Sequence, residues 1–251
     1  MILKDRVAVI TGSGQGLGKA YAKTLAEHGA KVVIAEINAE KAESVAQELR
    51  DQHLEAISVQ VDVSNEESTK RMADEVIKQW GKVDILINNA AYFSTIQMKP
   101  FEEISIEEWD RAMAINLRGA FLSCRAIVPH MKQRRSGTIV NVTSATVLEG
   151  RPYYLHYVTS KAGIIGFTRA LAREIGEFGI NVNTLSPGLT LTDVPRTTIN
   201  DAAIKGAISR QSIRRSGVSE DMSGVILFLV SDQAKFVSGQ MLNVDGGSSM
   251  H

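Results

Sequence analysis

The sequence has a single cysteine, no net charge and no long apolar run, and each absence narrows the class of protein. Cys124 has no second cysteine with which to form an internal disulfide, a pattern typical of reducing compartments. The 28 basic and 28 acidic side chains balance, so no overall field draws the chain toward nucleic acid or an anionic membrane. No stretch approaches the roughly 18 apolar residues of a membrane span, and the N-terminus lacks a signal-peptide pattern. We therefore expect a cytoplasmic protein without nucleic-acid or membrane partners.

Short runs rich in valine and isoleucine alternate with longer segments of helical periodicity. Strands are predicted at Arg6–Thr11, Lys31–Glu36, Ala56–Val63, Val83–Asn88, Thr138–Thr143, Ile180–Ser186 and Gln240–Val244. Helices are predicted at Gly18–His28, Ala39–Gln52, Glu66–Trp80, Ile106–Arg134 (in two pieces), Tyr153–Phe178 and Ser219–Ser231. Nearly continuous apolar strands between helices indicate a parallel sheet covered on both faces, and right-handed crossovers make such a sheet doubly wound.

The 251 residues contain no low-complexity linker and no repeat. We therefore predict one α/β domain over residues 1–251, a Rossmann-type doubly wound sheet of about seven parallel strands with helices on both faces. One long segment, Gly188–Gly217, shows no regular pattern. Long irregular segments in compact domains are often functional, so we predict that residues 188–217 form a lid over substrate or cofactor.

The loop TGSGQGLG, residues 11–18, separates the first predicted strand from the first helix. The strict G-x-G-x-x-G pattern fails because Leu17 stands where its last glycine should be. The spacing that fits is G-x-x-x-G-x-G, formed by Gly12, Gly16 and Gly18. Glycines there let the backbone approach a phosphate, and the helix N-terminus supplies amide donors. The setting favours nucleotide binding over the alternative of a plain tight turn.

Glu36 closes the second predicted strand, where an acidic side chain can accept hydrogen bonds from the ribose of a dinucleotide. It would also repel a 2′-phosphate, and Ile37 and Asn38, which follow it, offer no basic group to offset its charge. The sequence therefore favours NAD over NADP; a solvated carboxylate is the alternative. The carboxyl ends of two later strands add further candidates: Asp62, Val63, Asn89 and Ala90.

Tyr157 and Lys161 are four residues apart in a predicted helix, so both side chains lie on the same face, one turn apart. A phenol ordinarily titrates near pH ~10, and a nearby cation lowers its pKa. The spacing can therefore convert Tyr157 into a general acid/base. The neighbouring Tyr153 and Tyr154 have no lysine at this spacing. Taken alone, the pair also fits an ordinary amphipathic helix.

Taken together, these motifs resemble those of the short-chain dehydrogenase/reductase family over almost the whole chain. The matching pieces are TGSGQGLG at 11–18, Asp62, NNA at 88–90, Asn116, Ser144, Tyr157-x-x-x-Lys161, Pro187-Gly188 and Val244-Asp245-Gly246-Gly247 after Gly239. The resemblance implies a single Rossmann-type domain, a homotetramer and a nicotinamide cofactor. The chain departs from the family pattern at Ala91, where a glycine is usual, and at Gly14, an additional glycine expected to make the loop more flexible.

The resemblance also implies a role for each matching residue. Tyr157 would be the acid/base, and Lys161 would lower its pKa and hold the nicotinamide ribose. Ser144 would hydrogen-bond the carbonyl or alcohol oxygen. Asn116 would hold a water that links Lys161 to solvent. The cofactor set expected, with no metal, is Gly12, Gln15, Gly16, Leu17, Gly18, Glu36, Asp62, Val63, Asn89, Ala90, Tyr157, Lys161, Pro187, Gly188, Leu189, Thr190 and Thr192.

Substrate contacts are expected from the less regular segments Ala91–Ile96, Ala145–Leu148, Arg151–Tyr154 and Leu189–Gly217. Their aromatic and aliphatic side chains predict a partly apolar pocket, with His156 beside Tyr157. The lid carries five basic residues, Arg196, Lys205, Arg210, Arg214 and Arg215. They either recruit an anionic substrate or form a solvated surface, and exposed charged loops usually do the latter.

The leading interpretation is an NAD-dependent oxidoreductase that interconverts a small secondary alcohol and a ketone. The segment TSK…GFTRALA at 159–172 and the C-terminal tail resemble catabolic family members acting on secondary or aromatic alcohols. The alternatives are a 3-oxoacyl-thioester reductase of the same family, which more often uses NADPH, and an NAD-binding sensor without turnover. Enoyl reductases of related fold space their tyrosine and lysine farther apart, which disfavours that reaction.

Overall fold

A computed structural model describes residues 1–195 and 200–250. Its strands are β1 (Val7–Thr11), β2 (Lys31–Glu36), β3 (Ala56–Gln60), β4 (Ile85–Asn88), β5 (Gly137–Val142), β6 (Ile180–Pro187) and β7 (Met241–Val244). Its α-helices are α1 (Gly16–Glu27), α2 (Ala39–Asp51), α3 (Glu66–Trp80), α4 (Ile106–Met113), α5 (Gly119–Arg134), α6 (Thr146–Glu149), α7 (Leu155–Ile175), α8 (Asp201–Arg210) and α9 (Ser219–Val230).

Local sequence signals account for several of the helix ends. The side chains of Asn38 and Asn65 accept hydrogen bonds from backbone N–H groups in the first turns of α2 and α3. Ser105 and Glu108 form a capping box at the start of α4. Gly81 ends α3 in the left-handed conformation, which a glycine adopts without steric cost.

The seven strands form one parallel sheet in the order β3-β2-β1-β4-β5-β6-β7. The chain runs outward from β1 to β3 and then returns to place β4 on the other side of β1. This reversal opens a crevice at the carboxyl ends of β1 and β4, where doubly wound sheets bind ligands. The single domain, the Rossmann-type sheet and the two helical layers predicted from the sequence are confirmed.

Each face of the sheet has its own apolar core, because side chains of a strand alternate between faces. On one face Ile10 and Ile34 pack with Leu25 of α1 and Ile226 of α9. On the other face Val9 and Leu86 pack with Val76 of α3 and Ile127 of α5. All of these side chains are buried. The strands have nearly continuous apolar sequences because both faces of the sheet are buried by helices.

Several predicted elements can be compared with the structure in detail. Strand β3 ends at Gln60 rather than at residue 63, because the chain there leaves the sheet for the cleft. The helix predicted over Ile106–Arg134 in two pieces does consist of α4 and α5, and a π-helical turn, Ala114–Arg118, joins them. The segment 188–217, predicted to be irregular, contains α8, which Asn200 caps by accepting from the Ala203 N–H.

Candidate active site

A cleft with a volume of about 1010 Å³ lies along the carboxyl ends of the strands. Residues that follow β1, β2, β3, β4, β5 and β6 all contribute to its walls: Gly12, Glu36, Asp62, Asn89, Ser144 and Gly188. The topology explains this convergence, because parallel strands deliver all of their carboxyl ends to one edge.

The glycine loop lies at the crevice between β1 and β4. Gly12 and Gly16 both have positive φ, 64° and 60°, which glycine adopts at low cost. A Cβ at Gly18 would lie 2.3 Å from the Gly12 carbonyl oxygen and 2.6 Å from Asn89 Nδ2. Asn89 Nδ2 donates to the carbonyl oxygens of Thr11 and Gly12, both at 3.0 Å. Glycines are therefore required here by close approach as well as by backbone conformation.

The N-terminus of α1 provides a site suited to an anion. The side chain of its N-cap residue, Gln15, forms no hydrogen bond with the backbone N–H groups of the first turn. The Gly16 N–H instead donates to a carboxylate oxygen of Asp193, at 2.9 Å, from the segment after β6. An anionic oxygen thus already occupies a donor of this helix end, as the helix dipole favours. The donors and the sign of the field fit the phosphates of a dinucleotide.

Glu36, at the end of β2, contacts the same loop. Its carboxylate accepts from the Gly14 N–H at 3.2 Å and from the Ile37 N–H at 2.9 Å. A Cβ at Gly14 would lie 2.7 Å from Glu36 Cγ and 3.0 Å from Lys41 Cβ. The additional glycine is therefore needed for the close approach of Glu36. It is not simply a source of flexibility, as the sequence suggested.

Lys41 is a basic residue close to the glycine loop that the residues directly after β2 do not reveal. It stands in the first turn of α2, and its Nζ donates to Gln15 Oε1 at 2.6 Å. The Glu36 carboxylate instead accepts from the backbone N–H groups of Gly14 and Ile37, and Lys41 does not line the cleft.

Tyr157 and Lys161 lie one turn apart on α7, and both line the cleft. Lys161 is 3% exposed, and its Nζ donates to the carbonyl oxygen of Val142 at 2.9 Å and lies 5.9 Å from the centroid of the Tyr157 ring. Burial lowers the pKa of Lys161 from 10.5 to about 8. The Tyr157 ring stacks on that of Tyr154, with centroids 4.6 Å apart. The spacing therefore places a buried cation close to a fixed phenol, as predicted.

Ser144 follows β5 and lines the cleft with this pair. Its Oγ accepts from the backbone N–H of Thr146 at 3.3 Å and from the Thr146 hydroxyl at 3.0 Å. These contacts connect the serine to the short helix α6. The sequence did not predict this helix, because four residues are too few to show helical periodicity. A hydroxyl held this way keeps a hydrogen to donate and is directed by its neighbours.

Asn116 does not line the cleft with the other predicted catalytic residues. It is 2% exposed and lies in the π-helical turn. Its Oδ1 accepts from the Tyr92 N–H at 2.7 Å, and its Nδ2 donates to the Tyr92 carbonyl at 3.2 Å and to Ser160 Oγ at 3.0 Å. The side chain thus holds the wall residue Tyr92 against α7. π-Helical turns are frequent at functional sites.

All predicted cofactor residues line the cleft: Gly12, Gln15, Gly16, Leu17, Gly18, Glu36, Asp62, Val63, Asn89, Ala90, Tyr157, Lys161, Pro187, Gly188, Leu189, Thr190 and Thr192. The segment after β6 approaches closely, since a Cβ at Gly188 would lie 2.5 Å from Asp245 Cα. Within the described residues, no group of three or more His, Cys, Asp or Glu side chains could hold a metal ion.

The remaining wall is partly apolar. The predicted segments contribute Tyr92, Phe93, Leu148, Arg151 and Tyr154 to it, among others. In the first three predicted wall segments, Thr95, Ile96, Val147 and Tyr153 do not line the cleft, and neither does the neighbouring His156. Ile96 and His156 are each 1% exposed, so they pack behind it. Sequence reasoning missed several others: Met98, Arg111, Glu149, Ser248 and Ser249.

The basic residues of the segment 188–217, which the sequence predicts to be a lid, lie in different environments. Arg210, at the end of α8, lines the cleft. Lys205, Arg214 and Arg215 do not, and Arg215 pairs with Asp221 at 2.6 Å. Arg196 lies outside the described residues, as does the C-terminal histidine.

Comparison with known proteins agrees with this geometry. Residues 12–249 match a family model described as enoyl-(acyl carrier protein) reductase. An uncharacterized oxidoreductase of Mycobacterium tuberculosis is 38% identical over 243 residues, 97% of either chain. The chain belongs to the short-chain dehydrogenase/reductase family. A 3-oxoacyl-(acyl-carrier-protein) reductase of Staphylococcus epidermidis is 35% identical over 248 residues, 98% of this chain and 100% of that one. The Staphylococcus aureus enzyme of that name is 34% identical over 244 residues, 97% and 98% of the two chains.

Membership of the short-chain dehydrogenase/reductase family makes the protein an oxidoreductase. Family members bind a nicotinamide cofactor, NAD or NADP, and the cleft has room and donors for either. Among residues 1–195 and 200–250, no helix is both long and apolar enough to cross a membrane.

Proposed function

We propose that the protein is an NAD-dependent oxidoreductase that interconverts a secondary alcohol and a ketone, with Tyr157 as acid/base. The observation that carries this proposal is the placement of Tyr157, Lys161 and Ser144 in the same cleft as the glycine loop. A buried cation, a fixed phenol and a directed hydroxyl are the groups that a hydride transfer needs from the protein. The nicotinamide, when bound, supplies hydride acceptance and donation.

The side chains would divide the remaining work between them. In oxidation, Tyr157 Oη takes the proton of the alcohol, and in reduction it returns a proton to the carbonyl oxygen. Lys161 stabilises the phenolate through its positive charge, which its pKa of about 8 preserves at neutral pH. Ser144 Oγ donates a hydrogen bond to the substrate oxygen. Asn116 acts here as a positioning residue for Tyr92, and a role in proton supply to Lys161 stays a proposal.

Glu36 supports NAD as the cofactor. Its carboxylate can accept from the ribose hydroxyls and would repel a 2′-phosphate. Lys41 Nζ donates to Gln15, whereas the Glu36 carboxylate accepts from the backbone N–H groups of Gly14 and Ile37. We propose that all of the predicted cofactor residues, which line the cleft, bind the cofactor. The backbone donors at the start of α1 would face its phosphates. Leu189, Thr190 and Thr192 would lie on the nicotinamide side.

A second candidate is a 3-oxoacyl-thioester reductase. Two observations favour it: the names of the staphylococcal relatives and the ammonium of Lys41 near the ribose pocket. Enoyl reduction is disfavoured by the four-residue spacing of Tyr157 and Lys161. A sensor without turnover is disfavoured because the catalytic groups are all present.

Two further proposals concern the oligomeric state, which the family resemblance implies, and the cellular location, which the composition indicates. A homotetramer is supported by an exposed apolar groove on α4, α5 and α7 that includes Met113, Leu117, Phe121 and Phe167. A monomer in light scattering at working concentration would argue against it. A cytoplasmic location is supported by the lone, buried Cys124.

The deciding experiment measures reduction of NAD and NADP with aliphatic, cyclic, aromatic, hydroxyacid and diol substrates. We expect turnover with NAD that falls by about 10²- to 10⁴-fold in Tyr157→Phe, since general acid/base catalysis contributes that much. NADH binding by the variant should persist, which shows that the cleft is intact. Turnover confined to 3-oxoacyl thioesters with NADPH would instead support the second candidate.

A further inference from the structure

Arg151 lies in the substrate end of the cleft, on the turn that follows α6. Its backbone N–H donates to the Thr146 carbonyl at 3.3 Å, and Gly150 precedes it in the left-handed conformation with a φ of 59°. The turn thus connects Arg151 to the same short helix that holds Ser144. Six residues separate Arg151 from Ser144 along the chain, and both line the cleft.

The guanidinium of Arg151 has no carboxylate partner among the described residues. It is half-buried, and its Nη2 contacts the thioether sulfur of Met98 at 3.8 Å. Glu149 lines the same cleft two residues earlier, but it is not among the ion-pair partners of the described residues. A guanidinium that lines a cleft without a carboxylate partner can bind an anionic group of a ligand.

Two further guanidinium groups line the cleft. They belong to Arg111, whose guanidinium lies 4.4 Å from the Tyr92 ring centroid, and to Arg210. Acidic residues line it as well, and Glu149 is two residues from Arg151, so an anion would be held by direct contact with a guanidinium rather than by a uniform field. The rings of Phe93 and Tyr154, which both contact that of Tyr157, line the same cleft.

We propose that Arg151 binds a carboxylate of the substrate, and that the substrate is a hydroxy acid or oxo acid in which an apolar, aryl or alkyl, spacer separates the carboxylate from the reacting carbon. The planar fork of a guanidinium matches a carboxylate with two parallel hydrogen bonds. The aromatic wall fits the spacer. This inference rests on the proposed function and narrows its substrate class.

The test measures the oxidation by NAD of three related alcohols: 4-(1-hydroxyethyl)benzoate, its neutral amide, and 1-phenylethanol. The 3-substituted benzoate is added to vary the distance between the carboxylate and the reacting carbon. We expect kcat/KM for a carboxylate to exceed that of the amide by about tenfold or more. Arg151→Met should lower kcat/KM for the carboxylates by about 10- to 100-fold through KM, and leave 1-phenylethanol within about threefold. Arg214→Met, a basic residue outside the cleft, is the matched control and should change neither.

A binding measurement separates failure of the inference from failure of the proposed function. Calorimetry with NADH-saturated Tyr157→Phe protein compares 4-acetylbenzoate with acetophenone. Tighter binding of the carboxylate, abolished by Arg151→Met and partly restored by Arg151→Lys, supports the inference whether or not turnover is found. Equal binding of the two ketones, or turnover that Arg151→Met leaves equal for carboxylate and amide, overturns the inference while the alcohol dehydrogenase proposal stands. Carboxylate binding without turnover of any alcohol overturns the proposed function alone.

Discussion

The ring of Tyr154 stacks on the ring of Tyr157, with centroids 4.6 Å apart and planes inclined by 22°. Phe93 approaches the second ring from another side, at 6.3 Å. Tyr157 has 7% of its surface exposed, so its phenol faces the cleft while neighbouring rings confine its plane. The aromatic cluster thus orients the ring that we propose as the acid/base.

We expect Tyr154→Leu to lower kcat by about tenfold, because an aromatic pair contributes about 0.5–1.5 kcal/mol beyond its buried area and the phenol would lose its fixed orientation. Tyr154→Phe keeps the ring and should retain most of the activity. Steady-state kinetics of the two variants provide the test. Equal kcat values would show that the stack does not orient Tyr157.

The depressed pKa of Lys161 predicts a pH dependence of stability. Burial lowers its pKa from 10.5 to about 8, so between these values the folded lysine is neutral while the unfolded lysine is protonated. Unfolding then takes up a proton, and the free energy of unfolding rises with pH in this window. Below pH 8 both states are protonated, and the cost of burying the charge is fully present.

The measurement is denaturant unfolding of the wild type and Lys161→Met at fixed protein concentration between pH 7 and 10.5. We expect the wild type to gain on the variant by on the order of 3 kcal/mol across the window, because one pKa unit corresponds to about 1.4 kcal/mol. A constant difference would contradict the depressed pKa. The variant should also lose activity.

Glu36 and Lys41 together predict how cofactor choice can be changed. Glu36→Gln keeps an acceptor for the Gly14 N–H but removes the negative charge, so NADP binding should improve by about tenfold or more relative to NAD. Adding Lys41→Met should reverse part of that gain. Fluorescence titration of NADH and NADPH measures both effects. Glu40→Gln is the control. Glu40 lies beside Lys41 on α2 and does not line the cleft, so this change should leave the ratio of NADPH to NADH affinity unchanged.

Two helical glycines provide a matched pair for testing the packing of the glycine loop. A Cβ at Gly18 would overlap the Gly12 carbonyl oxygen, so Gly18→Ala should destabilise the protein by about 1–3 kcal/mol and weaken NADH binding. Gly224, in α9, has no described atom within 4 Å of such a Cβ. Gly224→Ala should therefore raise the free energy of unfolding by about 0.5–1 kcal/mol. Denaturant unfolding and NADH titration distinguish the two. Normal NADH affinity in Gly18→Ala would contradict the close packing of the loop.

Most of the fold could be predicted because its signals are local. The valine and isoleucine runs that become β1, β2 and β6 are buried on both sides, and helix caps such as Asn65 are read directly from the chain. The helix α8 was missed although Asn200 is a capping residue, because its turns bury no residue and show no strong apolar stripe. The four residues of α6 are too few to show a period.

The sequence by itself determined the chemical groups of the site: the glycine spacing, the acidic end of β2, and a tyrosine and lysine one helical turn apart on α7. Tertiary structure alone decided which distant groups meet. It placed Asp193 on the Gly16 N–H, Lys41 beside Gln15, and Arg151 against Met98. The physical reason is that periodicity and spacing report neighbours within one element. Contacts between loops depend on the strand order, which gathers carboxyl ends from all along the chain at one edge of the sheet.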